Sequence, residues 1–334
     1  MDYESADDNL KKAKELENNK DFFSASHFYK KALELFLKKG DSKQIKFCKN
    51  KIVEVNKNSI LSGKDFKEIS VEHKFTKEQI DQLNAFIENV IKSNDINQIL
   101  NNIGIRRSFI PILKNVEESA KKTMPITYSI ASLTTISDNG HLLKGGEDGQ
   151  KHWFTKMYEI SQKTVLELYL SPIINKIMKS KNEKTRLDLE SLTSYFEKIN
   201  IVKENNFKII KKGLEAFFNK NYISSLHILI PQFEAVFLDL SKSCGIDIVA
   251  LDQRLGISTR TKTLSDRYLS SEEFIKIWGE DFCQQIKFVF FEPLGYKLRH
   301  KVAHGEVLEE ECNFQNTVLI IYFFLVLLGR IKRK

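Results

Sequence analysis

Proline and glycine are scarce in this chain, with five and 14 among 334 residues. So few breakers leave little room for a turn-rich architecture. The long Lys-, Glu-, Leu-, Ile- and Phe-rich stretches between them point to a mostly helical protein. Cysteine is equally sparse. Cys48, Cys244, Cys283 and Cys312 lie far apart and form no C-x-x-C pair, and there are seven histidines. That spacing argues against a zinc site, and no cofactor is expected. Dispersed thiols of this kind read as small buried hydrophobes in a reducing compartment. The opening Met1-Asp2-Tyr3-Glu4 is acidic and lacks the basic start and apolar run of a signal peptide, so a cytoplasmic setting is expected. No apolar run reaches membrane length either. Thr317 to Leu328 spans only ~18 Å as helix against roughly 30 Å of hydrocarbon. Two readings of that run stay open, a tail anchor and a helix apolar on all sides, buried in a bundle or a dimer interface. The second fits its length better, and no membrane partner is expected.

What is present is an ordinary globular composition, 42% hydrophobic and 29% charged, in a chain long enough for two or three domains. Fifty-two Lys and Arg against 44 Asp and Glu give a net charge of +8. A basic excess of this size fits a nucleic-acid partner without demonstrating one, because scattered lysine is the common solvated surface residue.

Residues 1–60 read as a helical hairpin with a capping helix. Leu10, Ala13 and Leu16 fall at helical spacing, as do Ala25, Tyr29, Ala32 and Phe36 after the Asn19-Lys20-Asp21 turn, and Ser42 to Asn56 forms a third helix. The pattern of small residues with bulky Leu16 and Tyr29 resembles one tetratricopeptide repeat, and ordinary helix packing explains it as well. A single unrepeated hairpin cannot build a concave groove, so a packing or protein-docking module is expected. Residues 75–200 read as a mostly helical middle region, opened by Thr76 as an N-cap with Glu78 in the first turn and punctuated by Gly104 and Pro111. Within it, 125–149 is irregular or extended, with a turn at Asp138-Asn139-Gly140. The glycine-rich Lys144–Gly149 lacks the Walker spacing and reads as a loop. A long helix from Gln150 to Lys179 is expected to break at Pro172. Residues 204–334 then read as a helix bundle. Its segments are Asn206–Phe218, Tyr222–Cys244, Phe274–Phe291, Leu294–Ala303 and Glu309–Ile331, with a polar connection from Asp252 to Ser271. The expected fold class is all-α.

The chemistry concentrates in Pro293-Leu294-Gly295-Tyr296-Lys297-Leu298-Arg299-His300-Lys301-Val302-Ala303-His304-Gly305. Leu294, Leu298 and Val302 are spaced by four and form a core-facing stripe. Arg299, His300 and His304 then occupy other faces, with Gly305 placed to end the helix in a left-handed cap. His227, on the Leu226–Pro231 segment, can face this site or be a partly buried structural histidine, and the second reading is the expected one. Arg254, Arg260, Lys262 and Arg267 make a basic, hydroxyl-rich connection that can track an RNA backbone or be a solvated loop. Taken alone, Arg299 and His304 can equally form a surface network with Glu306, Glu309, Glu310 and Glu311.

Residues 205–330 resemble the HEPN superfamily (higher eukaryotes and prokaryotes nucleotide-binding), whose ribonuclease members carry R-x(4–6)-H with a polar residue directly after the arginine. Arg299, His300 and His304 match the short form. Together with Leu226-His227-Ile228-Leu229-Ile230-Pro231-Gln232-Phe233-Glu234, the segment resembles a bacterial family with a C-terminal HEPN-like ribonuclease motif. The likeness is weaker over Pro125–Gly140 and absent from the N-terminal hairpin. The resemblance implies a homodimer through the C-terminal bundle, with the motifs of two protomers facing each other. It also implies metal-independent RNA cleavage by 2′-hydroxyl attack. Arg299 would hold the phosphate, His304 would exchange the proton and His300 would orient it, with Lys297 and Lys301 beside the RNA. Catalytically dead HEPN domains that act as scaffolds or RNA binders are the alternative.

Overall fold

The computed structural model describes residues 5–64, 74–123, 135–136, 140–144, 149–197, 202–252 and 258–331. Helices dominate, as expected, and the chain divides into two compact units. The smaller comprises Met1–Lys74 and Ser129–His152, the larger Phe75–Tyr128 and Trp153–Lys334.

In the smaller unit, α1 (Ala6–Asn18) begins at a Ser5/Asp8 capping box, and α2 (Phe22–Lys39) is capped by Asp21 and stopped by Gly40 at φ 74°. The third helix, α3 (Ser42–Ser62), runs past the expected end at Asn56 to Gly63. Ala13, Ala25 and Ala32 are fully buried beside Tyr29 and Phe36, so small side chains let the helices close on each other. Tyr29 donates its hydroxyl hydrogen to Glu17 at 2.5 Å, and Lys51 donates to the same carboxylate at 2.7 Å. A short antiparallel pair, β1 (Thr135–Ile136) with β2 (Leu142–Lys144), joins this unit. Buried Asn56 fastens it, accepting from Ser26 Oγ at 2.6 Å and donating to the Gly140 carbonyl at 2.9 Å. Asp138, Asn139 and Gly145–Asp148 lie outside the described residues.

In the larger unit, α4 (Lys77–Ile91) starts at Thr76 in a capping box closed by Gln79. It is followed by α5 (Ile96–Ile105), α6 (Leu113–Thr123) and, from Trp153 on, α7 (Gly149–Thr164). The break expected at Pro172 falls earlier. Val165–Leu170 forms a π-helical segment, and Pro172 sits in the first turn of α8 (Ser171–Met178), where its missing N–H costs nothing. Next come α9 (Leu189–Glu197), α10 (Glu204–Phe218) and α11 (Tyr222–Ser243). The polar connection after α11 is more ordered than a loop. Val249–Asp252 (β3) and Ser258–Thr261 (β4) pair antiparallel, followed by α12 (Asp266–Leu269). The single helix expected over Phe274–Phe291 is split by Gly279, at φ 82°, into α13 (Glu272–Trp278) and α14 (Glu280–Phe290). The chain ends in α15 (Leu298–His304) and α16 (Phe314–Ile331).

The core is organised around α16. From Val318 to Leu328 no residue exceeds 3% exposure. Helices α5, α8 and α11 and the π-helical segment pack on it. Phe233 of α11 places its ring 5.5 Å from those of Phe290, Phe323 and Phe324. Of the readings open for the apolar run, burial inside a helix bundle is the one seen. Helix α5, from the middle region, packs directly on α16, so parts of 75–200 and 204–334 share this core. At that crossing Gly104 lies so close that an added Cβ would stand 2.2 Å from the Leu325 carbonyl oxygen. Among the described residues one helix, α11, is long and apolar enough to cross a membrane by length and composition, and half of it is buried in this fold.

Candidate active site

Helix α15 is seven residues long, and its position is set by backbone geometry at both ends. Before it, the Pro293–Tyr296 turn folds back on α14, with the Tyr296 N–H donating to the Phe288 carbonyl at 3.2 Å. Gly295 is required there, since a Cβ would meet the Phe288 oxygen at 2.2 Å. Lys297 enters the helix in the left-handed region at φ 55°, and Gly305 leaves it at φ 68°. The strained non-glycine residue is thus directly next to the candidate site. Leu298 is fully buried and Val302 packs half-buried against the core. Leu294 lies in the turn rather than on the helix, because Gly295 and left-handed Lys297 interrupt the expected stripe.

This anchoring turns Arg299 toward α11. Its Nε donates to Glu234 Oε2 at 3.0 Å, and its guanidinium carbon lies 5.9 Å from the Phe291 ring centre. The other Glu234 oxygen accepts the Leu264 N–H at 2.9 Å. One carboxylate therefore ties the arginine to the segment leaving the β3–β4 hairpin. The two terminal nitrogens of Arg299 make no hydrogen bond among the described residues, which leaves them for an incoming oxyanion.

His300 and His304 lie one turn apart, with ring centroids 4.3 Å from each other and planes tilted at 45°. His300 Nε2 lies 3.7 Å from a Glu306 carboxylate oxygen, and Lys297 Nζ lies 3.7 Å from the same oxygen. Burial, with help from the Lys297 and His304 charges, holds the His300 pKa below its ordinary value, and Glu306 opposes the shift. His304 is exposed at the helix end and has no ion pair among the described residues. Five positions separate Arg299 from His304, roughly 140° around a helix. A ligand touching both lies across the carboxyl end of α15.

Comparison of the chain with family models, curated proteins and solved structures finds no match.

The remaining expected site residues divide. Lys301 pairs with Glu311, and Lys297 shares Glu306 with His300. The acidic surface network therefore exists for these residues, while Arg299 takes a partner outside it. Lys262 is held internally, donating to the Asp247 carbonyl at 2.7 Å and lying 3.2 Å from its carboxylate. Arg260 on β4 and Arg267 on α12 are exposed, and Arg254 lies outside the described residues. His227 is exposed rather than partly buried, and its Nδ1 donates to the Ile223 carbonyl at 2.8 Å in its own helix. Among the described residues no three His, Cys, Asp or Glu side chains are grouped to hold a metal ion. Glu234 was missed by sequence reasoning. Its signal was the one carboxylate in the mostly apolar run from Leu226 to Leu238, which also holds His227 and Gln232.

Proposed function

We propose that the chain is a metal-independent endoribonuclease of HEPN type. The observation that carries this reading is Arg299, gripped from behind by Glu234 with both terminal nitrogens unspent, on the same short helix as the neighbouring His300 and His304 rings. The 2′-hydroxyl of RNA attacks the adjacent phosphorus, the P–O5′ bond breaks, and a 2′,3′-cyclic phosphate and a 5′-hydroxyl result. His304, exposed at the carboxyl end of α15, exchanges the proton. The Arg299 terminal nitrogens stabilise the charge that develops on the phosphoryl oxygens. His300, biased toward its neutral form, accepts from or donates to His304 and orients it. Exposed Arg260 and Arg267 supply the cationic approach. The resemblance adds a second protomer facing the first across this site. A cytoplasmic role in phage defence or growth arrest, with a partner on the α1–α2 hairpin, follows from analogy alone.

A second reading is a non-catalytic RNA-binding or protein-interaction scaffold. It is favoured by Glu234, Glu306 and Glu311, which match the charges of Arg299, Lys297 and Lys301. One experiment separates the two. Arg299→Ala and His304→Ala should each lower RNA cleavage by ~10²–10⁴ while the melting profile stays close to wild type, and cleavage should persist in excess EDTA. A substrate with 2′-deoxyribose at the cut site should resist the wild type. Cleavage by either variant at the wild-type rate refutes the assignment and leaves the scaffold.

A further inference from the structure

At the opposite end of α14 from the α15 site, a cleft of about 650 Å³ opens between α5, α13, the start of α14 and the end of α16. Arg330, Arg107 and Lys276 line it, together with Glu280 and Asp281. Asp281 pairs with Arg107, whereas Arg330 and Lys276 make no ion pair among the described residues. Asp281 is already committed, accepting the Leu113 N–H at 3.0 Å and the Arg107 guanidinium at 3.2 Å. Glu280 is exposed and makes no ion pair among the described residues.

Arg330 is the informative member. Its guanidinium rests 4.8 Å from the Phe282 ring centre and makes no ion pair or hydrogen bond among the described residues. Burial acts against its charged form. The carboxylate whose charge reaches this partly buried guanidinium is Asp281, already shared with Arg107 and the Leu113 N–H, so Arg330 is open to a further anion. A second observation lies behind it. Tyr322 is 1% exposed and its hydroxyl has no hydrogen-bond partner among the described residues. Tyr322 and Arg330 lie about two turns apart on α16. The first turn of α14 opens beside them with no side-chain cap, since Gly279 supplies none.

We propose that this cleft binds a small phosphate-bearing ligand. Arg330 grips one phosphate from the inner wall, and Arg107 and Lys276 close on it from the rim. A chain of two or three phosphates matches three separated cations better than a lone carboxylate does. The cleft also has the volume typical of small-molecule sites.

The test is a titration of the full chain with pyrophosphate at low ionic strength, followed by tryptophan emission and by thermal unfolding. Trp278, one of two tryptophans, lines the cleft. The expected result is saturable binding with a raised melting temperature. Arg330→Gln should weaken it by at least ~ten-fold, as loss of a charge-assisted hydrogen bond does. Arg107→Gln with Lys276→Gln should weaken it several-fold, and these exposed positions keep the test decisive if Arg330→Gln does not fold. Lys208→Gln, on exposed α10 surface, should change nothing. Tighter binding of ATP than of tripolyphosphate identifies a nucleotide, and equal binding a bare phosphate chain. Absence of binding, equal affinity in every variant, or binding lost only with Arg299→Ala overturns the proposal.

Discussion

Replacing Gly104 with alanine should destabilise the protein, although helix propensity alone predicts the reverse. Alanine is favoured over glycine inside a helix by ~1 kcal/mol. Against that gain stands the crossing of α5 on α16. A Cβ at Gly104 would lie 2.2 Å from the Leu325 carbonyl oxygen, 2.7 Å from its carbonyl carbon and 3.3 Å from its Cβ. Ordinary contact needs more than 1 Å of extra separation from that oxygen, and the obstacle is backbone, which no rotamer change can move. Nor can α5 withdraw freely, because Ile99, Leu100 and Ile103 are fully buried on the same helix. Overpacking a tight core costs ~1–3 kcal/mol and sometimes more. With the clash at or above the top of that range, the net loss is about 2 kcal/mol. For a domain of this size that lowers the melting temperature by roughly 4–8 °C. Calorimetry of the larger unit's transition is the assay. Gly329→Ala, on the facing helix, should cost less, since its Cβ would meet the movable Ile105 Cγ2 at 2.9 Å. A Gly104→Ala variant that melts at or above the wild-type temperature refutes the crossing, and with it the single core joining the middle of the chain to its end.

Two further outcomes follow from titration and burial. Folding lowers the His300 pKa below 6.5, so the unfolded chain binds that proton more tightly. The contribution of this residue is fully present above pH 6.5 and is lost as the pH falls through that value toward the lower folded pKa. Wild type should therefore lose more melting temperature between pH 7.5 and 5.5 than His300→Gln does, and equal losses would show that the histidine is unperturbed. Burial pushes the Cys283 thiol up to about 12 and raises those of Cys48 and Cys312, whereas Cys244 is partly exposed. A thiol reagent at pH 8 should modify one cysteine quickly in the native protein and all four after denaturation. Rapid labelling of Cys283 would contradict the packing of α14 against α16.

Much of the local structure was legible before any coordinates. Thr76 as an N-cap and Gly305 as a left-handed cap mark helix ends through capping and positive φ, both of which are properties of a few adjacent residues. The α1–α2 hairpin and the α10–α11 pair were readable from apolar spacing for the same reason. Where local reading failed, the deciding contact was distant. Leu294 fell off the expected stripe because Gly295 must pass beneath the Phe288 carbonyl, a constraint the spacing of four cannot reveal.

The Arg299, His300 and His304 cluster shows how the two sources of information divide. Sequence alone determined that an arginine and two histidines would share one short helix ended by glycine, because helical spacing and a left-handed cap are local. It also determined that Thr317–Leu328 must be hidden from water, since apolar surface on every side of a helix leaves no face for solvent. The tertiary structure decided what hides it, namely α5, α8 and α11 rather than a second copy. It likewise decided that Arg299 answers to Glu234, 65 residues away in sequence, and not to the nearby acidic run. Charge pairing depends on distance in space, and only the packing of α11 against α15 brings that carboxylate within reach.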